Sequence, residues 1–218
     1  KVSIKENLRI VRDRIAAAAQ RVGRDPNEIK LVAVIKNVPL DKVFEALEAG
    51  VTDIGESRIQ EAEERYAAIR SRFPSVTYHM VGHLQRNKVR QALDMFDIIQ
   101  SVDSERLAEE ISRRAERPVP ILIEVNTSGE ASKFGTEPDK TIDLVRLASS
   151  FANIKVEGLM TIGPLAGDPR ESFRQLRELS GKIGGSKYLS MGMTDDFEPA
   201  IEEGSNLVRI GRGIFKGG

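Results

Sequence analysis

Leu31-Val32-Ala33-Val34-Ile35 is a short apolar run, rich in β-branched residues, that leads through a turn into an amphipathic segment beginning near Leu40. Val43, Phe44 and Leu47 share one face of that segment and Gly50 ends it, so the unit reads as a strand followed by a helix. The unit recurs. Strand-like runs stand at residues 31–35, 52–55, 77–82, 98–102, 120–125, 156–162, 187–191 and 206–210, with helices expected from near Leu40, Arg58, Gln85, Ser104, Asp139, Arg170 and Asp195. Pro138 suits a first helical turn, and Thr194 or Asp195 suits the cap of the helix that stops at Gly204. Alternating strands and helices imply parallel strands with right-handed crossovers. Eight units fit a (β/α)8 barrel of the TIM type better than an open doubly wound sheet, although such barrels usually run to ~250 residues. An additional helix precedes the first strand: Ser3 and Glu6 have capping-box spacing, and Ile4, Leu8, Val11, Ile15 and Ala18 follow at helical intervals. No linker divides the chain, so residues 1–218 are expected to form one domain.

Composition narrows the function. Thirty-three Lys and Arg balance thirty-three Asp and Glu, which argues against a protein held to nucleic acid or membrane by bulk charge. The absence of Cys removes disulfides, thiolate nucleophiles, Cys-ligated zinc and iron–sulfur clusters. No apolar run approaches the ~20 residues of a membrane span, and the charged, amphipathic first ten residues do not read as a secretory signal. A cytoplasmic globular protein is the expectation.

In a barrel of this kind chemistry sits at the C-terminal ends of the strands. Lys36 closes the first apolar run. A lysine there is expected to be partly desolvated, which would free its amine for Schiff-base chemistry; the plainer alternative is a lysine that snorkels outward. Ser190-Met191-Gly192-Met193-Thr194 and Arg209-Ile210-Gly211-Arg212-Gly213 end the seventh and eighth strands. Glycines there let backbone amides approach an anion, so the pair reads as a phosphate site or as two tight turns. His79 and His83 are about 13 Å apart along one strand face and cannot share a metal. His83 is placed at the mouth, as is Asn126 after the fifth strand. The basic stretch Gln85–Arg90 reads as a solvated helix face.

These segments, taken together, resemble one family. Leu31-Val32-Ala33-Val34 before Lys36, Gly55-Glu56-Ser57-Arg58, Gly82-His83-Leu84-Gln85-Arg86-Asn87-Lys88, Val125-Asn126-Thr127-Ser128-Gly129-Glu130, Gly158-Leu159-Met160-Thr161-Ile162, Leu189-Ser190-Met191-Gly192-Met193 with Asp196-Phe197, and Val208-Arg209-Ile210-Gly211 occur in the order of the pyridoxal phosphate homeostasis protein family and cover nearly the whole chain. The resemblance implies a fold-type III pyridoxal 5'-phosphate (PLP) barrel like the N-terminal domain of alanine racemases. It implies a Schiff base on Lys36, Arg209 facing the pyridine nitrogen, and Met160 near the ring. It also implies phosphate contacts from Ser190, Met193 and Thr194 and from the backbone at Gly211 and Arg212. The chain departs from the family at Ile35 (usually Ser or Thr), at Ser57 (usually Asn, near the phenolic oxygen) and at Arg212 (often Thr or Ser).

The expected function is a PLP-binding protein of intracellular PLP homeostasis with little catalysis of its own, a monomer whose partners are PLP and PLP-dependent apoenzymes. An Arg at the pyridine nitrogen leaves the ring a poor electron sink, and the second domain that gives racemases their second base is not expected here. The alternatives are a PLP-dependent amino-acid racemase or lyase, and a Schiff-base aldolase that binds a sugar phosphate without PLP.

Overall fold

Helix α1 (Ile4–Arg21) begins where its cap requires: Ser3 Oγ accepts the Glu6 amide at 3.1 Å, and Ile4, Leu8, Val11 and Ile15 are buried along one face. This is a computed structural model, and it describes residues 2–216. The strands are β1 (Lys30–Val34), β2 (Asp53–Glu56), β3 (Thr77–Met80), β4 (Ile98–Val102), β5 (Val119–Glu124), β6 (Ile154–Met160), β7 (Tyr188–Ser190) and β8 (Leu207–Ile210). They pair in chain order, all parallel, and β8 closes on β1 with Lys30 opposite Leu207 and Ala33 opposite Ile210. The expected eight-stranded barrel is therefore what forms.

The connecting helices are α2 (Leu40–Glu48), α3 (Ile59–Arg72), α4 (Val89–Met95), α5 (Glu105–Arg114), α6 (Thr141–Ser150), α7 (Arg170–Lys182), α8 (Phe197–Glu202) and a last turn α9 (Arg212–Phe215). Helix α1 packs against α2, α8 and α9, the helices that flank the β1–β8 closure. Asn7 Nδ2 donates to the Ile214 carbonyl at 2.9 Å and Arg14 pairs with Glu198 at 2.5 Å.

Three boundaries differ from expectation for local reasons. The helix expected from Gln85 starts only at Val89, because Arg86–Lys88 first form a tighter 3₁₀ turn. The helix expected from Asp195 has Asp196 at its cap position, since the Thr194 hydroxyl is already taken by the Gly213 amide. Strand β3 stops at Met80, so His83 lies beyond it rather than on its face.

The pleat sends alternate residues to opposite sides of the barrel wall. Outward residues such as Ile54, Tyr78, Ile99, Ile121, Leu159 and Val208 join the helices in one large apolar core. Inward, Ile98, Leu122 and Met160 make a smaller plug with Ile162 and Tyr188 against it. Asp53, His79, Gln100, Glu124, Ser190 and Arg209 are buried as well. Gly158 makes the β6–β7 contact possible: its φ is +154°, and a Cβ there would lie 1.8 Å from the Tyr188 carbonyl oxygen.

Candidate functional site

The C-terminal strand ends surround a cavity of about 470 Å³ lined by Val34, Met193, Thr194, Arg209, Gly211 and Arg212, among others. Five residues singled out in the sequence thus meet around one space. A second hollow of about 500 Å³ lies between α6 and α7 on the outer surface.

Arg209 is the buried cation of this cavity. It rises from β8 into the barrel and is 3% exposed. Its Nη1 donates to Ser190 Oγ at 2.6 Å and its Nη2 to the Thr161 carbonyl at 2.9 Å. Burial pushes its pKa down to about 10, against the pull of Glu124 and Asp196, so it stays charged at neutral pH. Burial pushes the Glu124 carboxyl up to about 7; Asp103 adds to this and Arg209 opposes it. Asp196 is raised by its own burial and accepts the Met193 amide at 2.8 Å.

The two glycine-bearing loops are tied together. Thr194 Oγ1 accepts the Gly213 amide at 3.2 Å, and Arg212 is paired with Asp195. Gly192 brings the loop close to α8: its φ is +102°, and a Cβ there would lie 2.9 Å from Phe197 Cα.

Lys36 corrects one expectation. It is exposed, not desolvated, because β1 ends at Val34 and the lysine rises from the turn that follows. That turn is gripped from α3. Arg65 Nη2 donates to the Ile35 carbonyl at 2.7 Å and Nη1 to the Val38 carbonyl at 2.6 Å. Glu61 accepts the Asn37 amide at 3.0 Å, and Asn37 takes a left-handed φ of +57°. The buried Glu56 accepts from Arg65 Nη2 at 2.5 Å. Desolvation pushes Glu56 up to about 7 even though Arg65 lowers it.

The other expected residues do not line this cavity directly. Ser190, expected at the phosphate, is the last residue of β7 and faces inward, bonded to Arg209 and to Gln100 Oε1. Met160 belongs to the interior plug. Ser57 follows Glu56 at the end of β2, where its carbonyl would lie 2.1 Å from a Cβ on Gly82. His83 is exposed and stacks face to face on Phe134, ring centroids 3.9 Å apart, joining the loops after β3 and β5. Asn126 organises its own loop: Nδ2 donates to the Glu130 carbonyl, and Oδ1 accepts from Ser128 and the Gly129 amide. His79, expected as a structural histidine, lies inside the barrel between Asp53 and Gln100. Among the described residues no group of three or more His, Asp or Glu side chains is placed to hold a metal ion, and no helix is long and apolar enough to cross a membrane.

Sequence reasoning missed Arg65, Glu61 and Glu124. Only Glu124 carried a signal, as the single charge ending the apolar run Val119–Glu124 in phase with the inward Leu122.

Residues 4–217 match the family described as alanine racemase, N-terminal domain. A pyridoxal phosphate homeostasis protein of Aquifex aeolicus is 39% identical over 221 residues, covering 96% of this chain and 96% of that one. Its Escherichia coli K12 counterpart is 35% identical, covering 97% and 95%. The structure of PipY from Synechococcus elongatus with PLP bound matches with a TM-score of 0.80 at 33% identity, covering 94% of this chain and 99% of that one. An alanine racemase of Clostridium difficile shares the fold, with a TM-score of 0.77 at 15% identity over 95% of this chain and 56% of its own. The chain therefore belongs to the alanine racemase N-terminal domain family, among the pyridoxal phosphate homeostasis proteins.

Proposed function

We propose that this protein binds PLP in the mouth cavity and holds it in reserve, with little turnover of amino acids. The observation that carries the reading is Arg209, a buried cation lining a cavity at the strand ends and fixed by two hydrogen bonds. The donor set fits this cofactor. PLP supplies an aldehyde that an amine can hold covalently and a pyridine ring that can draw off electrons. Lys36 is the amine nearest the rim in sequence, two residues beyond Val34 of the cavity wall. Thr194 accepts the Gly213 amide through its oxygen, which leaves its own O–H to donate to a phosphate. Arg212, held by Asp195, adds positive charge beside it.

Arg209 also sets the chemistry. A guanidinium only donates hydrogen bonds. A pyridine nitrogen facing it must accept, so it carries no proton and the ring withdraws electrons weakly. That favours retention over turnover. The reading extends to a cytoplasmic monomer that exchanges PLP with apoenzymes; light scattering of the purified protein tests the monomer.

The deciding experiment is a visible spectrum of the purified protein with added PLP, then borohydride reduction and peptide mass mapping. The expected result is a yellow protein with the adduct on Lys36 and no measurable racemisation of alanine. A colourless protein left unmodified would overturn the reading.

A further inference from the structure

Behind Arg209 a line of buried polar side chains crosses the barrel. Arg209 Nη1 reaches Ser190 Oγ at 2.6 Å, and Ser190 Oγ reaches Gln100 Oε1 at 2.6 Å. Gln100 Nε2 reaches His79 Nδ1 at 2.9 Å, and His79 Nε2 reaches Asp53 Oδ1 at 2.8 Å. No member is more than 3% exposed. The line starts at the mouth cavity and ends at a third cavity, of about 610 Å³, at the N-terminal ends of β1 and β2, lined by Lys30, Thr52 and Asp53 among others.

Donor and acceptor chemistry gives this line one direction. Arg209 can only donate, so Ser190 Oγ accepts and its single hydrogen goes to the Gln100 carbonyl. The Gln100 amide then donates, His79 Nδ1 accepts, and the imidazole hydrogen sits on Nε2, where it meets Asp53. Burial pushes the Asp53 carboxyl up, but the bonds from His79 and Thr52 and the charge of Lys30 outweigh it and hold it below the usual range. Turning the Gln100 amide over would aim two donors at Ser190 and force a proton onto His79 Nδ1. Each bond therefore enforces the next, and both ends carry the charge that the direction needs.

We propose that Asp53, His79, Gln100 and Ser190 are positioning residues that fix the Arg209 guanidinium through this one-way line, so that the electronic state of the ring in the mouth cavity depends on groups at the opposite end of the barrel. An apolar plug would fill the same space, as Ile98, Leu122 and Met160 do beside it. The proposal rests on the reading that the mouth cavity takes PLP.

Two experiments test it. In the intact protein without PLP, ¹⁵N NMR of the imidazoles should show His79 protonated on Nε2 and bare on Nδ1, with His83→Gln leaving a single ring to assign; adding PLP should move both His79 nitrogens. A proton on Nδ1 in the free protein, or a His79 signal unmoved when PLP binds, overturns the proposal. In the second experiment, Gln100→Leu and His79→Leu should shift the visible absorption band of bound PLP and speed its release about tenfold, the size expected for about one lost hydrogen bond. Folded variants with the parent's band and release rate overturn the proposal, and the NMR result decides if neither variant folds. Failure of the parent protein to bind PLP would be seen separately and would count against the functional reading itself.

Discussion

Ile54, Tyr78, Ile99, Ile121, Leu159 and Val208 point outward from their strands into the helices, while Asp53, His79, Gln100, Glu124, Ser190 and Arg209 point inward from nearly the same set of strands. The outward residues are held by volume: each touches many apolar neighbours, and no single partner defines it. The inward residues are held by identity: Asp53, His79, Gln100, Ser190 and Arg209 each bond a particular atom of another strand, and Glu124 is set by the charge of Arg209. Losing an outward side chain leaves a hole. Losing an inward one leaves a partner without its hydrogen bond or its charge. The shell therefore supplies stability and the interior supplies a chemical state, and the two should separate under mutation.

The largest effect is expected in the shell. Phe173 of α7 is fully buried in the outer core. Phe173→Ala should cost about 3–5 kcal/mol in chemical denaturation, while the protein that stays folded keeps the PLP absorption of the parent. A changed absorption band would break the separation.

Next comes the clasp on the lysine turn. Arg65→Met removes the donor from Glu56 and from the carbonyls of Ile35 and Val38. It should cost about 2–3 kcal/mol and slow the capture of PLP by Lys36, followed by stopped-flow absorbance; Arg65→Lys should restore part of both. Capture at the parent rate would show that the turn needs no clasp.

The smallest effect is a gain. Glu124 has a folded pKa of about 7 against an ordinary value of 4.5. A carboxyl raised on folding favours the folded protein only while protonated. Its contribution is complete below about pH 4.5 and is lost as pH rises through 7, and Glu56 shares this direction. Glu124→Gln should therefore stabilise by about 1–2 kcal/mol at pH 8 and by little at pH 4.5. Equal effects at the two pH values would show that Glu124 is not buried as a charge.

The same contrast explains what the sequence disclosed. Strands and most helices were legible because apolar periodicity is a property of neighbours in the chain, and caps such as Ser3 and Ser104 act within three residues. Arg209, Met193, Thr194, Gly211 and Arg212 could be placed at the mouth because they stand at the end of β8 or in the loops that follow β7 and β8. The pairing of His79 with Asp53 and Gln100 could not, because it depends on which side of three separate strands each residue faces. The strand face that His83 was expected to share with His79 does not extend to it: β3 ends three residues before it, and the pleat carries no information past that point. Arg65 was hidden among many helical arginines, and nothing local distinguishes the one that reaches over to another loop.

That arginine has a consequence for how the lysine turn can vary. Arg65 binds carbonyl oxygens, which every residue possesses, from 27 and 30 positions further along the chain. The shape of the turn is thus written in α3 rather than in the turn itself. The backbone there is held whatever side chain it carries, so a library randomised at the half-buried position 38 should retain far more working members than one randomised at 65. A region that looks divergent beside Lys36 can keep its geometry through a residue that a local comparison would pass over.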